Sequence, residues 1–219
     1  MDVASPQRIA LIEKIRDKGV HDERLLYAFQ QIDRADFVAP DSRDRAQEDV
    51  PLPIPHGQVT TQPSLVATMV QALRLTPRDR VLEIGTGLGY QAAILSRLCQ
   101  SVVTIERFPD IAALAEQNLS RRMLLNVLVL VGDGTRGAPR HAPFDGIIGA
   151  AAVPGIPPPL AAQLQEGGRL VLPIGPSGAE DVQLFTKRGG RLQLERQIAL
   201  AHFVPMVGEF GVRDPRPRA

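Results

Sequence analysis

The stretch Val81-Leu82-Glu83-Ile84-Gly85-Thr86-Gly87-Leu88-Gly89-Tyr90 decides the fold. A short apolar run ends in glycines at every second position, and a helical pattern (Ile94, Leu95, Leu98) follows at once. The pattern predicts a buried strand, a tight turn and a helix. Gly85 and Gly87 lack a Cβ, so the turn can adopt positive φ and a ligand can approach the backbone closely. A helix starting near Gly89 points its unpaired N–H groups at whatever occupies the turn. The spacing is G-x-G-x-G, one residue short of the dinucleotide fingerprint G-x-G-x-x-G.

A second strand, Val102-Val103-Thr104-Ile105, ends in Glu106. That carboxylate lies about 20 residues past the first glycine, where a nucleoside-binding fold places an acceptor for ribose hydroxyls. A third apolar run, Val127 to Val131, ends in Gly132-Asp133-Gly134. Three strands with polar acceptors at their carboxyl ends describe a nucleoside site at the edge of a parallel sheet. The ligand reads as S-adenosylmethionine, with S-adenosylhomocysteine as product. A nicotinamide dinucleotide is the alternative, disfavoured by the glycine spacing.

A chain of 219 residues with 44% hydrophobic residues suits one α/β domain with a full core. The net charge of +1 gives no electrostatic case for nucleic acid or a membrane surface as partner. No apolar run approaches the roughly 18 residues of a membrane span, and no signal-peptide pattern opens the chain. The single cysteine, Cys99, allows no disulfide within one chain and reads as a buried filler. A reducing cytoplasm and a monomeric state are the expectation. The histidines (His21, His56, His141, His202) show no metal-binding spacing.

Around the nucleoside-binding strands, residues 6–18 read as a helix with Ile9, Ile12 and Ile15 on one face. Asp22 reads as the N-cap of a second helix carrying Leu25, Leu26, Phe29 and Ile32. The prolines of residues 51–63 predict a stiff loop outside any sheet, a candidate for the active site. A helix then starts near Pro63, with Leu65, Val66, Met69, Val70 and Leu73 inward. Thr61 stands at its start, where it could serve as a helix cap or hold a carboxylate. His56 is a polar loop residue or a base. Further on, Pro109 opens a helix through Ile111, Leu114, Ala115 and Leu119. Residues 142–152 supply a fourth buried strand. A short helix from Leu160 is expected to stop at Gly167-Gly168, before a fifth strand at Arg169 to Gly175. Val182 to Lys187 and Leu192 to Ile198 flank a Gly189-Gly190 hairpin turn.

The expected architecture is a doubly wound, mostly parallel α/β sheet of Rossmann-like type. It carries an N-terminal helical cap and an antiparallel C-terminal hairpin. Residues 1–60 form the cap and active-site loop, 61–212 the core, and 213–219 a frayed tail.

Along nearly its whole length the chain resembles the protein-L-isoaspartate O-methyltransferases. The resemblance is carried by Asp22 to Leu26, Phe37-Val38-Ala39-Pro40, Pro51 to Ile54, Gly57-Gln58 and Gln62-Pro63 through Met69. It continues with Val81 to Ala93, Gly132-Asp133-Gly134, Ala142 to Asp145, Gly167-Gly168-Arg169 and Phe203-Val204-Pro205. The glycine turn alone is shared by many methyltransferases; its combination with the proline-rich loop and the late Phe-Val-Pro is far more specific. The resemblance implies methyl transfer from S-adenosylmethionine to the free α-carboxylate of isoaspartyl residues in damaged proteins. The ester then cyclises to a succinimide, and hydrolysis partly restores aspartate. It makes Gln58, Glu83, Gly85, Thr86, Gly87, Gly89, Tyr90, Glu106, Arg107, Asp133 and Gly134 the candidate cofactor contacts. Thr60, Thr61, Val204, Pro205 and Met206 become the candidate substrate contacts. Thr61 occupies the position of the family's active-site serine.

A carboxylate is already ionised at neutral pH, so the reaction needs alignment of groups and no general base. Four positions depart from the family pattern: Pro55 replaces a glycine, Val59 a threonine, Thr61 a serine, and Gly149-Ala150 a Val-Thr pair. All four fall on the expected substrate side. They leave open a methyltransferase acting on another acceptor, or a cofactor-binding module without transfer activity.

Overall fold

The computed structural model describes residues 5–175 and 180–213. The N-terminal cap comprises α1 (Pro6–Asp17) and α2 (Glu23–Gln31). Asp22 caps α2 as expected, its carboxylate accepting the N–H groups of Arg24 and Leu25 at 2.9 and 3.3 Å. The inward face of α1 differs from the sequence reading. Arg8, Leu11 and Ile15 are buried, while Ile9 is 46% exposed. Arg8 is drawn inward because its guanidinium pairs with Asp33 and donates to the Gln30 carbonyl. That polar anchor, made far along the chain, rotates the helix away from its isoleucine stripe.

The proline-rich segment forms a small sheet, which corrects the expectation of a loop outside any sheet. Strands β1 (Leu52–Ile54) and β2 (Gln58–Thr60) pair antiparallel, with Pro53 opposite Val59. A lone ribbon has no central strand, so a proline lacking its N–H is tolerated there. The chain turns between them at Pro55–Gly57, with His56 in the left-handed region at φ 59°.

Helix α3 (Pro63–Leu73) leads into β3 (Arg80–Ile84), α4 (Tyr90–Ser96), β4 (Ser101–Glu106), α5 (Pro109–Arg121), β5 (Val127–Val131) and β6 (Phe144–Gly149). Then follow α6 (Pro158–Gln163), β7 (Leu164–Ile174), β8 (Glu180–Arg188) and β9 (Arg191–Ala201). The main sheet has the order β5-β4-β3-β6-β7-β8-β9. The strands from β5 to β7 are parallel, and the last two pairings are antiparallel. Between β3 and β6 the winding reverses, the place where open α/β sheets bind ligands beyond their carboxyl ends.

Alternate residues of the strands enter cores on opposite faces. Val81, Val102, Ile148 and Val171 join α1 to α4 in one cluster, so the cap and the sheet share a core. Leu82, Val103, Ile147 and Leu170 pack on the other face with Leu160 and Phe144. Burial on both faces is why these strands read as unbroken apolar runs. The run Val127 to Val131 is the exception: it is the edge strand, and Leu128 and Val131 are 42% and 57% exposed. Cys99 is a buried packing residue, and burial pushes its thiol up to about 12.

Gly167-Gly168 does not stop a helix. Helix α6 ends at Gln163 and β7 begins at the next residue, passing through both glycines. Gly167 has φ 78°, and the β6–β7 register shifts beside it. A Cβ on Gly168 would press on the Asp145 and Gln165 carbonyls at 3.0 Å, so the glycines serve an irregular strand. Among the described residues, no helix is long and apolar enough to cross a membrane.

Candidate functional site

A cavity lies over the carboxyl ends of β3 and β4. Of the sequence-predicted residues, Gly85, Thr86, Gly87, Tyr90, Glu106, Arg107 and Gly134 line it. So do Gln58, Thr60, Thr61, Val204, Pro205 and Met206, which reach it from β2 and the late segment. One space therefore joins the expected cofactor side to the expected substrate side.

The glycine turn has the backbone that its spacing calls for. Gly85 and Gly87 take φ 90° and 54°. The Gly85 N–H is held by the Ile105 carbonyl at 2.9 Å, which fixes the turn to β4. Glu106 accepts the Gly87 N–H through Oε2 at 3.0 Å, and the Arg107 and Phe108 N–H groups through Oε1. Burial raises its pKa, and these three N–H groups pull the other way. The Glu106 carboxylate thus both braces the turn and faces the cavity. Gly134 closes against Ile84, whose Cγ2 a Cβ at that position would strike.

Three predicted residues are outside the lining. Gly89 is the N-cap residue of α4 at φ 96°, and Leu119 packs beneath it. Asp133 is not among the lining residues. Its Oδ1 accepts from the Thr135 N–H and hydroxyl, and its Oδ2 from the Glu209 N–H at 2.8 Å. Partial burial opposes its charge, but the Thr135 and Glu209 donors outweigh burial and its pKa falls below the usual range. Asp133 thereby fastens the late segment beside Gly134. Glu83 is wholly buried beneath the turn. Its Oε2 accepts from the Thr104 hydroxyl at 2.5 Å, the Thr104 oxygen lies 2.6 Å from that of Thr86, and its Oε1 has no partner. Burial raises its pKa to about 8, so it is mostly protonated at neutral pH.

Thr61 is not a helix cap. Helix α3 has Gln62 as its N-cap residue, and its free Ser64 N–H is taken by Asp49 Oδ1 at 2.8 Å. The Thr61 hydroxyl makes no hydrogen bond among the described residues, and it lines the cavity. Its neighbour Thr60 is fixed by Arg34, a residue 1% exposed. Arg34 also donates to the carbonyls of Ala46, Glu48, Val50 and Thr61. Its charged carbon lies 5.8 Å from the centre of the Tyr90 ring, tying the cap to the glycine turn.

His56 is no base for this site. It stacks on Phe108 with ring centres 4.3 Å apart and bonds Asp110 at 2.7 Å, pinning the β1–β2 ribbon to the start of α5. On the substrate side, the Val204 carbonyl and Met206 N–H are both paired with Ala152, at 2.8 and 2.7 Å. The late segment is thereby laid along the sheet end.

Sequence reasoning did not name Phe37, Ile54, Leu88, Gln91, Ile105, Ala151 or Val207 as site residues, though all line the cavity. Most are apolar wall and carry no local signal. Gln91 had one: it is the lone amide in a helix that otherwise continues Ala92-Ala93-Ile94-Leu95.

Comparison with known proteins agrees with this geometry. A sequence model described as protein-L-isoaspartate(D-aspartate) O-methyltransferase matches residues 6–211. A protein-L-isoaspartate O-methyltransferase from Methanoculleus marisnigri is 46% identical over 211 residues, covering 96% of each chain. One from Paracoccus denitrificans is 46% identical over 205 residues, covering 94% of this chain and 95% of that one. A solved protein-L-isoaspartate O-methyltransferase superposes with TM-score 0.83 at 32% identity, over 93% of this chain and 67% of that one. A structure from Plasmodium falciparum, in complex with S-adenosyl-L-homocysteine, shares the fold with TM-score 0.79 at 21% identity, over 90% of this chain and 97% of that one. Matched from its first helix to the end of its late segment, the chain belongs to the protein-L-isoaspartate(D-aspartate) O-methyltransferase family.

Proposed function

We propose that this chain transfers a methyl group from S-adenosylmethionine to the free carboxylate of L-isoaspartyl residues in damaged proteins. Family membership supports the activity. The observation that carries it to these residues is the single cavity lined both by the glycine turn with Glu106 and by Thr61 with Val204 to Met206.

The cavity fits the cofactor in chemistry. Gly85 and Gly87 at positive φ give close backbone approach, and Glu106 keeps acceptor capacity beyond its three N–H partners for ribose hydroxyls. The Gly134 backbone stands on the adenine side, held there by Asp133 through Thr135 and Glu209. When bound, S-adenosylmethionine supplies a methyl group carried on a positively charged sulfur.

The chain's own residues then align an ionised acceptor. Thr61 donates its hydroxyl to the carboxylate oxygen that does not react. The substrate backbone pairs with the Pro205 carbonyl, which faces away from Ala152, whose own groups take the Val204 carbonyl and Met206 N–H. Holding a carboxylate oxygen in line with a methyl group contributes several kcal/mol to the rate without any proton transfer. The absence of a base among the groups assigned here suits that chemistry. We further read the enzyme as a cytoplasmic monomer with no nucleic-acid partner.

The test is incubation with labelled cofactor and matched aspartyl and isoaspartyl peptides. Base-labile label on the isoaspartyl peptide alone is the expected result. Label on neither peptide, with tight cofactor binding, would instead support another acceptor or a binding module.

A further inference from the structure

Val59 is 44% exposed and lines the same cavity as Thr61. In the β1–β2 ribbon it stands opposite Pro53. A proline has no N–H to give, so these two residues cannot exchange hydrogen bonds. The bonds fall instead on the flanking pairs, Leu52 with Thr60 and Ile54 with Gln58. In an antiparallel ladder, the backbone groups of a pair left unbonded point out of the ribbon. The N–H and carbonyl of Val59 therefore face outward on the free edge of β2, and neither has a hydrogen-bond partner among the described residues. Thr60 turns its hydroxyl back to Arg34 and to the Leu52 N–H. Alternation along an extended chain puts its neighbours Val59 and Thr61 on the other side.

We propose that β2 receives the acceptor as a third strand: an extended segment of the damaged protein pairs its main chain with the Val59 N–H and carbonyl. The proposal rests on the acceptor reading given above and deepens it. The chemistry selects the partner. One residue offers a donor and an acceptor side by side, and a peptide main chain supplies the complement of both. A carboxylate or phosphate would use the N–H and leave the carbonyl open. The edge is continuous with the acceptor position, because Val59 and Thr61 are two residues apart, roughly 7 Å along an extended chain. Pairing of this kind reads no side chain. It admits damaged segments of many sequences and requires only that they be free to extend.

The ribbon itself supplies the variant that tests this. Val59→Pro removes the outward N–H, which the ribbon does not use. Gln58 before it already has the extended backbone, φ −85° and ψ 169°, that a residue preceding proline requires. Val59→Ala keeps the N–H and measures the share of the side chain. In steady-state kinetics on an isoaspartyl peptide, KM should rise about tenfold in Val59→Pro and about twofold in Val59→Ala, the difference being roughly one hydrogen bond. In both, kcat, S-adenosylhomocysteine affinity and the thermal midpoint should stay close to the parent's. With the parent enzyme, the peptide N–H groups are replaced by ester oxygens one position at a time. Besides the position facing the Pro205 carbonyl, one more should raise KM, about two residues from the isoaspartate. A parent-like KM in Val59→Pro would overturn the proposal, and so would equal KM values in the two variants. If Val59→Pro lowers the thermal midpoint, the ester series decides: a series with no second sensitive position overturns the proposal. A parent enzyme that binds S-adenosylhomocysteine but methylates no isoaspartyl peptide would overturn the acceptor reading itself, and the proposal with it.

Discussion

Arg34 and Thr60 are joined at 2.7 Å, the buried guanidinium donating from Nη2 to the hydroxyl of the residue just before Thr61. The same guanidinium holds the carbonyls of Ala46, Glu48, Val50 and Thr61. A cation replaces the sheet or helix partners that this irregular segment lacks. Arg34→Met should leave several of those carbonyls unpaired and cost about 3–5 kcal/mol. Thermal unfolding should show a midpoint lower by roughly 10 °C. A change under about 2 °C would mean that the carbonyls find other partners.

Glu106→Ala removes both the proposed ribose acceptor and the brace on the Gly87 N–H. Hydrogen bonds to a charged group contribute about 1.5–3 kcal/mol, so cofactor affinity should fall roughly tenfold to a hundredfold. Calorimetry with S-adenosylhomocysteine measures this directly. Unchanged affinity would remove Glu106 from the site.

Thr61→Ala should lower turnover on an isoaspartyl peptide about tenfold or more while leaving cofactor affinity intact. Thr61→Ser, which keeps the hydroxyl and frees χ1, should retain most of the activity. Single-turnover rates beside calorimetric affinities separate the two effects. Full activity in the alanine variant would leave the hydroxyl without a catalytic role.

Glu83 makes stability depend on pH. Its carboxyl titrates from a reference value of 4.5 up to about 8 in the folded chain, chiefly through burial, with Glu106 pushing in the same direction. Thr104 and Gln91 oppose that shift. Between those two values the unfolded chain has lost the proton and the folded chain keeps it. Stability is therefore greatest near the lower value and declines as pH rises through the upper one, by an amount on the order of a few kcal/mol. Glu83→Gln removes the titrating group, so the fall in thermal midpoint between about pH 5 and pH 8 should shrink in the variant. An identical pH profile in both proteins would refute the assignment.

The sheet was legible because its central strands are buried on both faces, and such strands appear as continuous apolar runs. The glycine turn and Glu106 were legible because their spacing is set by local backbone geometry. What escaped depended on long-range polar contacts. Arg8 turns α1 through Asp33 and Gln30, and nothing near residue 8 announces either partner. Arg34 sits in a polar run, Asp33-Arg34-Ala35-Asp36, that resembles a solvated turn, while its acceptors are mostly backbone carbonyls. The β1–β2 ribbon was hidden by prolines that a central strand would reject and an isolated pair does not. The place of Asp133 after a strand does not announce that its oxygens also accept from Thr135 and Glu209. Its partner at residue 209 lies far along the chain.

The carboxylate that Asp49 gives to the Ser64 amide has a dynamic consequence. The start of α3 and the segment leading to Thr61 are joined here, in addition to the hold of Arg34 on that segment, so the two tend to loosen together. Solvent hydrogen should therefore reach the Ser64 amide only when the acceptor-binding loop lifts. The exchange rate of that single N–H becomes a clock for how often the enzyme opens to admit a damaged chain.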